Sequence, residues 1–271
     1  MGLNKRFWQS LLPVASLLVF FWWFQLTPAG LLGKMDGIGY AVCHRIEERS
    51  FHVDGRQMPL CARCTGTFGG AFIGLTVQVV VARRRSRLPS RSILAFLAFL
   101  AFLWAVDGAN SYLYLLKEVG RGAISIPNLY TPNNTLRLFT GSGMGLAMAL
   151  VLYPVLQQTL WRQVDSRPAL SRRAIAILLG GVYLLDLAIL TEHPLILYPI
   201  AIISPLGALS LLVIVFGMLW VMVMREENTF EHVRQLWLPL LAGLTLAFLL
   251  IGGIDLLRFH LTGTWGGYPL P

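Results

Sequence analysis

Apolar residues run along this chain in long blocks, without the 3.6-residue or two-residue alternation of elements that keep one face in water. Seven blocks approach the roughly 20 residues that a helix needs to cross a bilayer. They are Leu11–Leu26, Gly66–Ala82, Ile93–Leu116, Phe139–Leu160, Ala174–Thr191, Ile200–Met224 and Leu236–Leu257. Gly66–Ala82 is among the shortest and is expected to continue into the segment before it. The pattern predicts an all-α polytopic membrane protein of about seven helices, folded as a single domain over residues 1–271, with one long connection at 30–65. No internal repeat and no separate soluble domain is visible.

The first block has to be weighed against a cleaved signal peptide. Lys5 and Arg6 precede it, and Thr27-Pro28-Ala29-Gly30 is weakly cleavage-like. The run ends in Phe20-Phe21-Trp22-Trp23-Phe24, however, and such aromatics suit an interfacial anchor better than a peptidase site. A retained helix is expected.

Composition confirms the solvent. Only 13% of residues are charged and 56% are hydrophobic, where a soluble domain carries roughly 25% charged residues. The bilayer is therefore the expected partner. The net charge of +9 does not point to nucleic acid, because the charges sit in short clusters between apolar blocks and no RNA-binding or helix-turn-helix signature is present.

Those clusters set an orientation, since cytoplasmic connections are rich in Lys and Arg. Lys5 and Arg6 precede the first block. Arg83, Arg84, Arg85, Arg87 and Arg91 fill the second connection, Arg162, Arg167, Arg172 and Arg173 the fourth, and Arg225 and Arg234 the sixth. One side thus holds 13 of the 22 basic residues. In the 30–65 connection, by contrast, Asp36, Glu47, Glu48 and Asp54 are interspersed among the basic residues. The expectation is a multi-pass protein of the cytoplasmic (inner) membrane with its N-terminus cytoplasmic, its C-terminus extracytoplasmic, and residues 30–65 outside.

That outside connection carries the most distinctive chemistry. All three cysteines lie in it, Cys43 followed by His44, and then Cys61-Ala62-Arg63-Cys64. Three readings compete. Cys43, His44, Cys61 and Cys64 are an ordinary tetrahedral set for zinc, and the CxxC spacing fits. Adjacent ligands diverge by about 100° on a helix, so the chain has to bend at Cys43-His44, or His52 has to replace His44. Alternatively, Cys61 and Cys64 are a redox pair with Cys43 as partner, which an oxidising compartment favours. In the third reading one disulfide staples the loop and the last thiol is inert.

The same residues resemble a known family. Cys43-His44, then Arg49-Ser50-Phe51, Gly55, Pro59 and Cys61-x-Arg63-Cys64-x-Gly66 are similar to the signature of a family of predicted bacterial and archaeal membrane proteins of unknown function. The resemblance extends to Asp107-Gly108 and to Asn134-Thr135-Leu136-Arg137 with Thr140-Gly141, so it covers about residues 36–145. It implies that these residues belong to one site, and it implies no reaction.

Charged groups inside a bilayer cost several kcal/mol and mark sites by default. Asp107, Asp186 and Asp255 are the three carboxylates within apolar blocks. With the orientation above, all three fall towards the outer side, level with Arg137, Asn110 and Ser111, and with Glu192-His193. This predicts one outward-facing cavity beneath the cysteines. The plainer alternatives are a helix-joining Asp107–Arg137 pair and an interfacial Asp255–Arg258 pair. Either way, Asp107 is expected within salt-bridge distance of Arg137 or Arg63, since an unpaired carboxylate at that depth is strongly disfavoured. His193 reads as a turn residue, and His232 and His260 as solvated. The glycines of Gly69-Gly70 and Gly74, and those of Gly141-Ser142-Gly143-Met144-Gly145, read as close helix packing.

No HExxH, Walker loop, GxSxG or GxGxxG with a following strand occurs. The leading reading is a membrane-embedded metalloprotein, in one form an enzyme that acts on a lipid-linked or anionic substrate at the outer face. In it Arg137 holds the anionic group and Asp107 serves as general base, with Asn110, Asp186 and Asp255 on the same wall. A Cys3His set leaves zinc no open position, which favours a structural metal. The runner-up is a thiol–disulfide oxidoreductase using Cys61, Cys64 and Cys43, and a third is a proton-coupled transporter.

Overall fold

The computed structural model describes residues 5–120 and 126–267. Its described residues form eight α-helices: α1 (Lys5–Leu26), α2 (Leu31–Val42), α3 (Ala62–Ala82), α4 (Arg91–Val119), α5 (Asn134–Leu160), α6 (Arg172–Ile189), α7 (Pro194–Met224) and α8 (Trp237–Thr262). Four short strands join them: β1 (Ser50–Val53), β2 (Arg56–Cys61), β3 (Arg85–Arg87) and β4 (Asp165–Pro168). The protein is an all-α polytopic membrane protein, with six helices, all but α2 and α6, long and apolar enough to cross a membrane.

The bundle has two distinct ends. At one, β3 pairs with β4, Trp161 bridges Phe230, Arg84 lies over the Trp161 ring at 4.2 Å, and Tyr153 donates to the carbonyl of Arg83. The three arginine-bearing connections, 83–91, 161–171 and 225–236, are thereby gathered together. The start of α1 lies at this end too, through an edge-on contact of Trp8 with Trp220 at 4.9 Å. The opposite end holds α2, the β1–β2 hairpin and the last described residues, where Trp265 packs on Tyr40 at 5.1 Å.

α3 and α5 form the centre. They run parallel, and their backbones touch along a ladder of small residues. A Cβ on Gly145 would stand 2.0 Å from the carbonyl oxygen of Thr67, and one on Gly141 2.3 Å from that of Arg63. The reciprocal glycines on α3 are Gly66, Gly70 and Gly74. Without a hydrophobic driving force between helices in lipid, such close approach is what van der Waals packing requires. Gly69 is not part of the ladder; it faces Ser204 at ordinary distance.

Two elements differ from the sequence expectation. The 30–65 connection is not a simple loop, because it contains α2, a 3-10 turn (Glu47–Arg49) and a hairpin. At 12 residues, α2 spans about 18 Å, too little to cross a bilayer, and instead its apolar side packs on α7 and α8 through Met35 and Ile38. The block Ala174–Thr191 becomes α6, of the same 18-residue length but shifted two residues earlier, so that it carries Arg172 and Arg173 as well as Asp186. It still runs from the arginine end, where Ile175 packs with Leu97 and Leu150, to the cysteine end, where Ile189 packs with Leu138, Leu197 and Met58. At 1.5 Å per residue it is about 27 Å long, close to the hydrocarbon thickness.

Candidate metal centre and the polar residues around it

Three local structures bring the cysteines together. α2 stops at Cys43, which takes an extended conformation (φ −140°, ψ 142°), and Arg45 adopts a left-handed one (φ 51°). That bend returns the backbone N–H of Arg45 to the Cys43 sulfur at 3.4 Å. The hairpin then folds the chain back over a two-residue Asp54-Gly55 turn, both residues at positive φ, as a type I′ turn requires. Its ladder ends by pairing Ser50 with Cys61. Finally Cys61 is the N-cap of α3, so that Cys64 lies one turn further along the same helix. Gly39 lets α2 sit directly on β2; a Cβ there would lie 2.0 Å from the Pro59 carbonyl oxygen.

The outcome is three sulfurs, of Cys43, Cys61 and Cys64, all within 4.8 Å of one another. Cys43 and Cys61 are buried and Cys64 is half-buried, with Leu60, Val42 and Phe68 packed around them. Cys43 Sγ also accepts the backbone N–H of Cys61 at 3.3 Å. The thiols of Cys43 and then Cys64, by donating to the Cys61 sulfur, hold its pKa well below the ordinary thiol value against the effect of burial. Cys43 moves up to about 12, chiefly because its proton is engaged by Cys61. Cys61 also lies at the positive end of α3.

His44 lies beside this trio and not within it. Its Nδ1 is 3.9 Å from Cys43 Sγ, and burial lowers its pKa. His52 is not a replacement, because it faces away on the hairpin and bonds Glu47 at 2.7 Å. The turn at 43–45 is held from α8: Arg258 donates to the carbonyls of Tyr40 and Cys43, each at 2.5 Å, and of His44 at 3.0 Å, and stacks on the Tyr40 ring at 3.9 Å. From the other side Asp36 accepts Arg45 at 3.0 Å and Arg56 at 2.5 Å.

Between the two CxxC cysteines, Arg63 reaches across to α4. Its Nε donates to Asp107 Oδ2 at 3.0 Å, and its terminal nitrogen donates to the same oxygen and to Ser111 at 2.9 Å. The second Asp107 oxygen accepts the Tyr130 hydroxyl at 2.7 Å. Of the two arginines named from the sequence, Arg63 is thus the partner of Asp107. Residues 43–151 match the model of DUF2085, a predicted membrane protein family. This is the family that the loop motif resembles. An uncharacterised protein of Methanocaldococcus jannaschii is 23% identical over 123 residues, 45% of this chain and 68% of its own length. Another uncharacterised protein, of Methanothermobacter thermautotrophicus, is 29% identical over 110 residues, 41% of this chain and 83% of its own length. No solved structure matches. The DUF2085 region contains the three cysteines, Arg63, Asp107 and Arg137, and ends within α5, so Asp186, Asp255 and Arg258 lie outside it.

The expected single cavity is divided. Asp186, on α6, accepts the Ser142 hydroxyl at 2.8 Å in a space of only about 10 Å³ beside Thr65 and Gly66. Asp255, on α8, accepts Trp23 Nε1 at 3.2 Å, while its other oxygen has no hydrogen-bond partner among the described residues. Asn110 is occupied by the chain after α4: its side chain donates to the Tyr130 carbonyl and accepts from Asn128 and the backbone of Leu129. Helix depth placed these residues at one level, but depth says nothing about which side of a helix a residue occupies, and they point into different helix contacts.

Arg137 lines a different space. With Arg49, Glu48, Tyr114, Glu118, Val119 and Pro132 it encloses a cavity of about 410 Å³ at the cysteine end. Arg49 belongs to the Arg-Ser-Phe motif, yet sequence reading gave it no role. The Asp54-Gly55 dipeptide between alternating residues was the available signal for the hairpin, whereas nothing local announces the bonds of Arg258 or Asp36.

Proposed function

We propose that this protein is a membrane-embedded metalloprotein of the cytoplasmic membrane, with a thiophilic metal, zinc by chemistry, held by Cys43, Cys61 and Cys64 at the extracytoplasmic end. The observation that carries the reading is the convergence of the only three cysteines from three separate local structures. Two backbone N–H groups aimed at the Cys43 sulfur support it, because such bonds stabilise the negative charge of a ligating thiolate. When bound, the metal would tie α2 to the start of α3. His44 is the candidate for the fourth position, and with it the site is closed and structural.

The redox alternative draws on the same sulfurs. A disulfide-exchange CxxC needs an accessible attacking thiol, and here the first cysteine of the pair, Cys61, is 2% exposed. That burial favours metal over exchange. The transporter reading has less support, because Asp107, Asp186 and Asp255 are engaged by different partners in different helix contacts. We assign Asp107, Asn110, Asp186 and Asp255 to packing and reserve substrate contact for Arg137, in keeping with a lipid-linked or anionic substrate at the outer face.

The test is metal content together with thiol count on the full chain purified under non-reducing conditions. About one zinc per chain is expected for a tetrahedral thiolate site, with thiols reactive only after chelation and with the metal lost in Cys61→Ser. Absence of metal with one disulfide per chain would replace this reading with the redox one.

A further inference from the structure

The cavity of about 410 Å³ lies between the Glu47–Arg49 turn, the end of α4 and the first turn of α5. Its charges are arranged by depth. Arg49 and Arg137 are 7% and 6% exposed, whereas Glu48 and Glu118 are exposed. Among the described residues neither arginine forms an ion pair, and the Nε of Arg137 is buried without a hydrogen-bond partner. The neighbouring Arg63 is different, because it pairs with Asp107 and bonds Ser111. Asn134 holds one terminal nitrogen of Arg137 at 2.9 Å, which fixes the guanidinium in place. Burial lowers the pKa of Arg49, with Glu118 opposing and Arg63 reinforcing that shift.

Two buried guanidinium groups that form no ion pair among the described residues, with the nearest lining carboxylates exposed at the rim, favour an anion, and planar guanidinium forks match phosphate oxygens. A plain phosphate would leave the two carboxylates at the rim without a cation. We propose that the cavity binds a phosphate ester that also carries a protonated amine, with the phosphate on Arg49 and Arg137 and the ammonium towards Glu48 and Glu118. The source we favour is the phosphoethanolamine head group of a membrane phospholipid. The exposed side chains of Tyr112, Leu116 and Val119 on α4 offer an apolar face on which its acyl chains can lie. This deepens the anionic-substrate part of the function proposed above and is independent of the metal.

The experiment measures lipid binding to the full-length, metal-replete protein in detergent, by native mass spectrometry and thermal stabilisation. Phosphatidylethanolamine, phosphatidylglycerol and phosphatidylcholine are compared, along with soluble O-phosphoethanolamine and inorganic phosphate. The ethanolamine lipid should bind best, because glycerol lacks the charge and the quaternary choline cannot donate hydrogen bonds to carboxylates. Arg137→Gln or Arg49→Gln should weaken it about tenfold or more, as expected for a lost charge-assisted bond. The exposed rim change Glu118→Gln, which leaves folding alone, should erase the preference over phosphatidylglycerol. Protection by O-phosphoethanolamine equal to that by the lipid would keep the chemistry and assign a soluble source. Equal binding of the three lipids, or an ethanolamine preference untouched by both Glu118→Gln and Arg137→Gln, would overturn the proposal. Metal content measured on the same samples separates failure here from failure of the metal site.

Discussion

At the scale of single residues, the polar groups buried in this bundle differ in what would follow from losing them. Asp107 is 1% exposed and takes both Arg63 and Tyr130. Replacing it by Ala strands the mostly buried guanidinium of Arg63, and removing one member of such a pair costs about 3–5 kcal/mol. Asp107→Ala should therefore lower the thermal midpoint of the purified protein sharply. The apolar double change Arg63→Met with Asp107→Leu should recover much of that loss, since swapping out a whole buried pair is often near neutral. A single variant as stable as the parent would show that the pair contributes nothing. Cys43 and Arg258 illustrate the same point for the cysteine loop: Arg258 is distant in sequence, yet it satisfies the carbonyls that the end of α2 leaves open.

At the scale of elements, α3 and α5 depend on backbone contact. Gly145→Ala would drive a Cβ into the Thr67 carbonyl and the backbone nitrogen of Ala71, neither of which can move without shifting a helix. The expected outcome is a poorly folded protein with reduced yield from membranes. Gly180→Ala on α6 meets nothing within 4 Å and should leave yield and thermal midpoint unchanged. Equal behaviour of the two would mean that the helices are not packed as described. Because α3 carries Cys61 and Cys64 at its start and Gly66 and Gly70 in its next turns, the geometry of the sulfurs is tied directly to this helix pair.

At the scale of the molecule, the three arginine-bearing connections meet at one end and the cysteines and the last described residues at the other. Reporter fusions read this arrangement out. A fusion after Arg167 should be cytoplasmic, while fusions after Glu192 and after Pro271 should be extracytoplasmic, as should one within 30–65. The Arg167 and Glu192 fusions flank α6, so opposite locations establish that this short, three-charge helix crosses. Both on one side would make α6 a peripheral element and reverse the fate of every later segment.

The apolar blocks determined the helices by themselves, because in lipid a chain has to satisfy its own backbone hydrogen bonds and length alone then sets a span. The arginine clusters likewise picked out the three connections that assemble at one end, and the Cys-His and CxxC motifs, close in the chain, named the sulfurs that converge. What was not legible was the partner of each buried group. Periodicity is weak in helices that are apolar all round, so nothing in the sequence reported which side of α4 or α8 turns inward. Hence Asp107, Asp186 and Asp255 looked like one wall and occupy three contacts, and the capping of α2 by Arg258 was not foreseen. The α2 helix and the hairpin were hidden for a related reason. They are short elements stabilised by burial against α7, α8 and one another, a contribution that exists only once the bundle has formed. Tertiary packing also made the cavity of Arg49 and Arg137, whose residues come from segments up to 89 positions apart and carry no shared local signal.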